Sequence, residues 1–353
     1  MRKLVIFLVF ITLVSGCSTK KNNIVQEQVE TYKEELVELG YSEEIIKELE
    51  NKLEIADLET LSEYDYIEVL LDIINDEEFK HENLDKYLSY YENGMNASAV
   101  VYIVNNDISY TYNEKLVSIM NHKYFIANNL DRYMVYDSEN IDEIITNVNT
   151  NIDRDFYKDI VSSDTTKGNL LIVNKYYKLD DGYYYGDLVT MSTRYSISGG
   201  QKLNHDAYDA FKKLVEAGEK EGVYIRNLSA YRSYGRQSTI YNNYKKEHGL
   251  EWTDKWSARP GHSEHQTGLA LDVTKKGMST FTGFEDTKEF TWISNNAHKF
   301  GFILRYPENK SYITGYGYEP WHYRYVGVEV ATYIYENDIT FEEYYAYFVE
   351  NKK

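Results

Sequence analysis

The sequence predicts a chain of two classes, an all-α helical-repeat region followed by an α+β domain. Three observations carry this reading. A segment beginning at Glu68 recurs 46 residues later without a gap. From about residue 165, strand-like and helix-like segments alternate. All three prolines and all four tryptophans lie beyond residue 250. At 353 residues the chain also exceeds what one hydrophobic core usually organises. A formal net charge of −19 excludes a nucleic-acid face, which needs clustered Lys and Arg, and leaves little pull toward an anionic bilayer.

Membrane attachment therefore needs another signal, and the N-terminus supplies one. Arg2 and Lys3 precede an almost purely apolar stretch, Leu4 to Val14, too short to span a bilayer and suited to a secretory signal. It ends in Val14-Ser15-Gly16-Cys17, small residues before the only cysteine. This resembles the bacterial lipobox, which implies removal of residues 1–16 and lipidation of Cys17 at the outer face of the cell membrane. A lone cysteine also excludes an intrachain disulfide. Residues 17–28 are polar and read as a flexible tether.

From Val29 the pattern turns helical, with Leu36, Leu39, Ile45, Ile46, Leu49 and Leu53 at helical spacing, Gly40 as a stop and Ser42 as a start. The repeat follows within residues 29–155. Glu68-Val-Leu-Leu-Asp-Ile-Ile-Asn75 recurs as Glu114-Lys-Leu-Val-Ser-Ile-Met-Asn121, and Phe79 to Tyr90 recurs as Phe125 to Tyr136. A weaker echo links Val104-Asn105 to Val148-Asn149. A period of this length suggests stacked helical hairpins that bury an apolar face against each other.

A boundary falls near residues 155–168, and residues 165–350 form the second domain. Leu170 to Asn174 reads as a strand, His205 to Glu219 as a helix, Val223 to Arg226 as a strand, and Gln237 to His248 as a helix stopped by Gly249. Leu269 to Val273 is apolar except for Asp272, as in a buried strand carrying one functional side chain. A buried carboxylate alone is costly, and a metal ion supplies the missing partner. His265 lies seven residues before Asp272 with Gly268 between them, and His322 follows the stiff pair Pro320-Trp321. Two histidines and one carboxylate are three protein ligands, the catalytic number for zinc, with a fourth position left for water. Glu319, three residues before His322, is within reach of that water as a base. His262 reads as a supporting residue rather than a ligand.

The segment Ser257-Ala-Arg-Pro-Gly-His-Ser-Glu-His-Gln-Thr-Gly-Leu-Ala-Leu-Asp272 closely resembles the zinc-site signature of VanY-type D-alanyl-D-alanine carboxypeptidases, of the superfamily that also holds lysostaphin-like peptidases and the hedgehog domain. The resemblance continues through Ser229-Ala-Tyr-Arg-Ser-Tyr234, Gly301 to Pro307 and Thr314 to Gly327. It implies a small antiparallel sheet flanked by helices, zinc on His265, Asp272 and His322, and Glu319 as general base. It further implies that Arg232 contacts substrate and stabilises the tetrahedral intermediate. Gln237, Ser257 and Ser263 then belong to the substrate-binding set, with Gln237 and Ser257 holding the terminal carboxylate. The expected activity is release of the C-terminal D-alanine from peptidoglycan stem peptides. L,D-carboxypeptidase activity on tetrapeptide stems, endopeptidase cleavage and a non-catalytic zinc-containing wall-binding protein stand as alternatives. The repeats read as a spacer or as a docking surface for a protein partner.

Overall fold

The computed structural model describes residues 18–91, 95–108, 114–183 and 187–350. The expected signal peptide and its lipidation site, Cys17, lie outside these residues. Among the described residues no helix is long and apolar enough to cross a membrane. Two compact units divide between Asn128 and Asn129.

The first unit is helical. Its first helix, Ser18–Leu39, takes in residues 18–28, where a flexible tether was expected. Lys20 and Lys21 before Ile24, and Gln26, Glu27 and Gln28 before Val29, are good helix formers, so the segment continues the pattern that follows it. The helix stops at Gly40, whose φ of +106° suits glycine, and Ser42 caps the helix Glu43–Lys52 by accepting from the Ile45 amide. Leu36, Leu49, Leu61, Leu70 and Leu84 share one buried core. Within this unit Tyr87 and Asn83 both donate to Asn105 Oδ1. The second sequence copy has the same arrangement in the other unit, where Tyr133 and Asn129 both donate to Asn149 Oδ1. The faint echo of Asn105 in Asn149 thus marks the residue on which the two copies' hydrogen bonds converge. The helix Ile141–Asn149 lies in the second unit, where Thr146 and Tyr347 share a hydrogen bond of 3.1 Å.

The second unit mixes helices with small sheets. Its largest sheet has four antiparallel strands, β1 (Ile225–Ser229), β2 (Ala270–Lys275), β3 (Phe302–Leu304) and β4 (His322–Tyr325), in the order β1-β2-β4-β3. The helix His205–Lys220 packs Phe211, Leu214 and Val215 against Leu271, Val273, Phe302 and Tyr323 of the sheet. Strand alternation turns Asp272 to the face opposite Leu271 and Val273. The expected strand at Leu170–Asn174 does not form: a 3₁₀ turn, Thr165–Leu170, leads into a buried irregular segment. Its carbonyls find side-chain donors instead of a ladder, Arg324 Nη2 bonding the Leu171 oxygen at 2.6 Å. The helix predicted at Gln237–His248 begins three residues earlier, at Tyr234, with Ser233 as its cap.

Gly268 joins the turn that carries His265 to β2. Its φ is +72°, and a Cβ there would stand 2.5 Å from Leu188 Cδ2. Gly268→Ala should therefore destabilise the protein by about 1–2 kcal/mol from the left-handed backbone alone. Gly199→Ala, with open space and an ordinary φ, should stay within about 0.5 kcal/mol. Urea unfolding midpoints of the two variants check the difference.

Candidate metal centre

Adjacent antiparallel strands bring the predicted ligands together. Asp272 on β2 is the direct cross-strand partner of His322 on β4, which sets their Cβ atoms about 5 Å apart. His265 arrives from the short 3₁₀ turn Glu264–Thr267 that precedes β2. One ligand atom from each of the three lies within 4.8 Å of the others, and all three residues are buried. His265 Nε2 is 3.3 Å from Asp272 Oδ2, and His322 Nδ1 is 3.1 Å from Asp272 Oδ1. The remaining nitrogen of His265 is held at 2.7 Å by the Ala230 carbonyl, which fixes the ring.

A cavity of about 420 Å³ opens onto this triad, bordered by Arg232, Ser257, Ser263 and Glu319 among others. Glu319 Oε2 lies 3.8 Å from His322 Nδ1. Burial pushes the Glu319 carboxyl up to about 7, although the His322 imidazole pulls the other way. Burial also opposes ionisation of Asp272, yet the His265 and His322 rings outweigh it and hold the carboxylate well below the usual range. His322 is held at about 9: desolvation draws it down, but contacts with the Asp272 and Glu264 carboxylates prevail. His265 is lowered, chiefly by burial. A buried carboxylate wedged between two imidazoles, with a second carboxyl facing the same point, is a donor set suited to a borderline-soft divalent cation. The residues fit zinc.

Arg232 borders the cavity with Nη2 3.8 Å from Asp272 Oδ2. Gln237 is buried behind the cavity wall and has its polar atoms committed. Its Oε1 accepts from Arg232 at 2.9 Å, and its Nε2 donates to the Ala258 carbonyl at 2.7 Å and to Ser257 Oγ at 3.3 Å. Gln237 thus links Arg232 to Ser257 through its side-chain amide.

Of the remaining histidines in the C-terminal domain, His298 stacks on Tyr335 at 3.9 Å, apart from the triad. His262 is buried, its Nδ1 2.7 Å from the Asn174 carbonyl. Three charged residues that pattern reading passed over also stand at the site: Glu264, Arg305 and Arg324, all fully buried. Their signal was present, since Arg305 and Arg324 end or interrupt apolar strands and a buried guanidinium demands a carboxylate. Tyr306 was passed over as well; its ring packs 4.9 Å from that of His322.

The comparisons with known proteins agree with this geometry. The family profile described as "VanY: D-alanyl-D-alanine carboxypeptidase" matches residues 200–328. The chain is 38% identical over 157 residues to the bifunctional D-Ala-D-Ala dipeptidase and D-Ala-D-Ala carboxypeptidase VanXYC of Enterococcus gallinarum, covering 42% of this chain and 82% of that protein. The chain belongs to the VanY family. Its likeness to the Bacillus subtilis protein YodJ is 43% identity over 181 residues, half of this chain and 66% of the relative. Two further curated D-alanyl-D-alanine carboxypeptidases are spanned over 63% and 57% of their length. Among solved structures, the LD-carboxypeptidase LdcB superposes with a TM-score of 0.51 at 39% identity, over 54% of this chain and 91% of that one. The VanY match begins at residue 200, so residues 29–155 stand outside it.

His262 gives a test by pH. Burial depresses it to about 4, whereas an unfolded chain's histidine titrates near 6.5. The stability it carries is therefore complete above about pH 6.5 and is withdrawn as pH falls toward 4. Relative to His262→Phe, the wild type should lose about 2–3 kcal/mol of unfolding free energy between pH 7.5 and 4.5. Denaturant titrations of both proteins at the two pH values measure it.

Proposed function

We propose that this protein is a zinc carboxypeptidase that releases the C-terminal D-alanine from peptidoglycan stem peptides. The observation that carries the reading is the buried triad His265, Asp272 and His322 with the Glu319 carboxyl facing the same cavity. Zinc, when held by the triad, supplies Lewis acidity toward a peptide carbonyl and lowers the pKa of water. Glu319, raised toward neutrality by its burial, takes the proton of the attacking water and returns it to the leaving amine. Arg232, held by Gln237, offers paired donors to the developing oxyanion or to the terminal carboxylate. Ser257 and Ser263 border the cavity and complete the polar lining for substrate.

A second reading has its own support. The LdcB likeness favours L,D-carboxypeptidase activity on tetrapeptide stems, because that structure is described as an LD-carboxypeptidase. Incubation of the full chain with pentapeptide and tetrapeptide stems, with alanine release measured from each, separates the two. Alanine from the pentapeptide is the expected result; alanine from the tetrapeptide alone would establish the second reading.

The lipobox resemblance at Cys17 supports tethering to the outer face of the cell membrane, where the wall substrate is found. In this reading the helical repeats are a spacer between anchor and enzyme, with protein docking as their alternative use. A non-catalytic wall-binding role is disfavoured by the retention of both Glu319 and Arg232 beside the triad.

Glu319→Ala should keep zinc and lose about 10²–10⁴-fold in turnover, the usual worth of a positioned base. His265→Ala should lose both metal and activity. Metal analysis alongside alanine release checks the pair, and near-normal turnover of Glu319→Ala would remove it as the base. Gln237→Ala, by freeing Arg232 and Ser257, should impair free-carboxylate peptides far more than amidated ones. Equal losses on the two substrates, compared by kcat/KM, would count against a carboxylate pocket.

A further inference from the structure

Beside the metal centre, four ionisable side chains form a linked lattice in the core, in the order Arg324, Glu264, Arg305, Glu342. Glu264 Oε1 accepts from Arg305 Nε at 2.8 Å and from Arg324 Nη1 at 2.9 Å, and Arg305 grips Glu342 with both terminal nitrogens. None of the four side chains is more than 2% exposed. Buried pairs of this kind contribute little net stability, because desolvation of the charges offsets their attraction. The lattice therefore asks for another reason to exist.

One atom of it points outward from the charge pairing. Glu264 Oε2 faces His322 Nε2 at 3.5 Å, at the outer limit of hydrogen bonding. Neither atom has a hydrogen-bond partner among the described residues. The opposite nitrogen of the same ring, Nδ1, is the one that meets Asp272 and Glu319, at 3.1 and 3.8 Å. His265 is turned the other way round, with Nε2 toward Asp272 and Nδ1 on the Ala230 carbonyl. The two histidines would thus offer different nitrogens to a metal, and each would need a different partner behind it. For His265 that partner is a backbone carbonyl. For His322 it is a carboxylate, delivered by the residue next to His265 on the same short turn.

We propose that Glu264 is a positioning residue for zinc: its carboxylate accepts the Nε2–H of His322 and so presents Nδ1 to the metal, while Arg305 and Arg324 hold that carboxylate in place. The proposal rests on the triad as a zinc site, and partners of this kind orient metal-bound imidazoles and strengthen them as donors. Nothing in it depends on which peptide is cleaved.

The decisive comparison uses the full chain and two variants of one lattice. Glu264→Gln should weaken zinc binding about 10–100-fold, measured by competition with a chromophoric chelator. Glu342→Gln also removes a carboxylate from Arg305 but does not touch His322, so it should lower the unfolding temperature and leave zinc affinity unchanged. Unchanged affinity in Glu264→Gln, or equal weakening in both variants, overturns the proposal and leaves the lattice purely structural. Should Glu264→Gln fail to fold, nitrogen NMR of zinc-loaded wild-type protein labelled in histidine still decides. His322 should carry its proton on Nε2 and His265 on Nδ1; a proton on Nδ1 of His322 overturns the assignment. These readouts need no substrate, so absence of alanine release would sink the carboxypeptidase reading and leave this one standing.

Discussion

The pairing of Asp272 with His322 across two short antiparallel strands is the constraint on which the rest of the second unit turns. A one-residue slip between β2 and β4 would send Asp272 to the opposite face, among Leu271's and Val273's neighbours, and take the metal site apart. The register is secured from both faces. On one, Leu271, Val273 and Tyr323 pack under the helix His205–Lys220. On the other, Asp272 stands between the His265 and His322 rings, and the Ala230 carbonyl holds His265. A β-bulge between Asn227 and Ser229 adjusts the neighbouring strand, after which the Ala230 carbonyl meets the His265 ring.

Around that pairing the protein concentrates ionisable groups where water is scarce. The carboxylates of Asp272, Glu264 and Glu319, the two imidazoles of the triad and the guanidiniums of Arg232, Arg305 and Arg324 gather at the site from positions 232 to 324, and their neighbours set the three carboxylates apart in proton affinity. Asp272 and Glu264 are held ionised by the cations beside them, while Glu319 is raised toward neutrality, chiefly by burial and further by the Asp272 and Glu264 carboxylates. On the proposed reading, environment alone divides these carboxylates into ligand, support and base.

Much of the site was legible in the sequence because its residues are locally incongruous. Asp272 breaks an apolar strand, Gly268 sits where the chain must turn left-handed, and His322 follows a stiff Pro-Trp pair. The general outline of the second unit was readable for the same reason, through alternating periods of strand and helix. Other features resisted. Leu170 to Asn174 has a strand's composition, but a ladder is a property of two segments and Arg324 occupies its carbonyls instead. Gln237 was expected in the substrate-binding set; that its side chain bonds Arg232, Ser257 and the Ala258 carbonyl is a detail that spacing does not carry. Residues 18–28 looked too polar for structure, yet their helix propensity sufficed to extend the helix that follows.

The grip of Arg305 on Glu342 has a consequence for how this protein is born. Glu342 belongs to the helix Phe341–Phe348, 37 residues beyond Arg305, so the guanidinium in the middle of the core waits for that segment to be made. A nascent chain halted earlier holds a buried cation short of a counter-charge, which disfavours closing the core. Two guanidiniums, Arg305 and Arg324, would then share the single carboxylate of Glu264, so closure of the core and arrival of Glu342 are coupled.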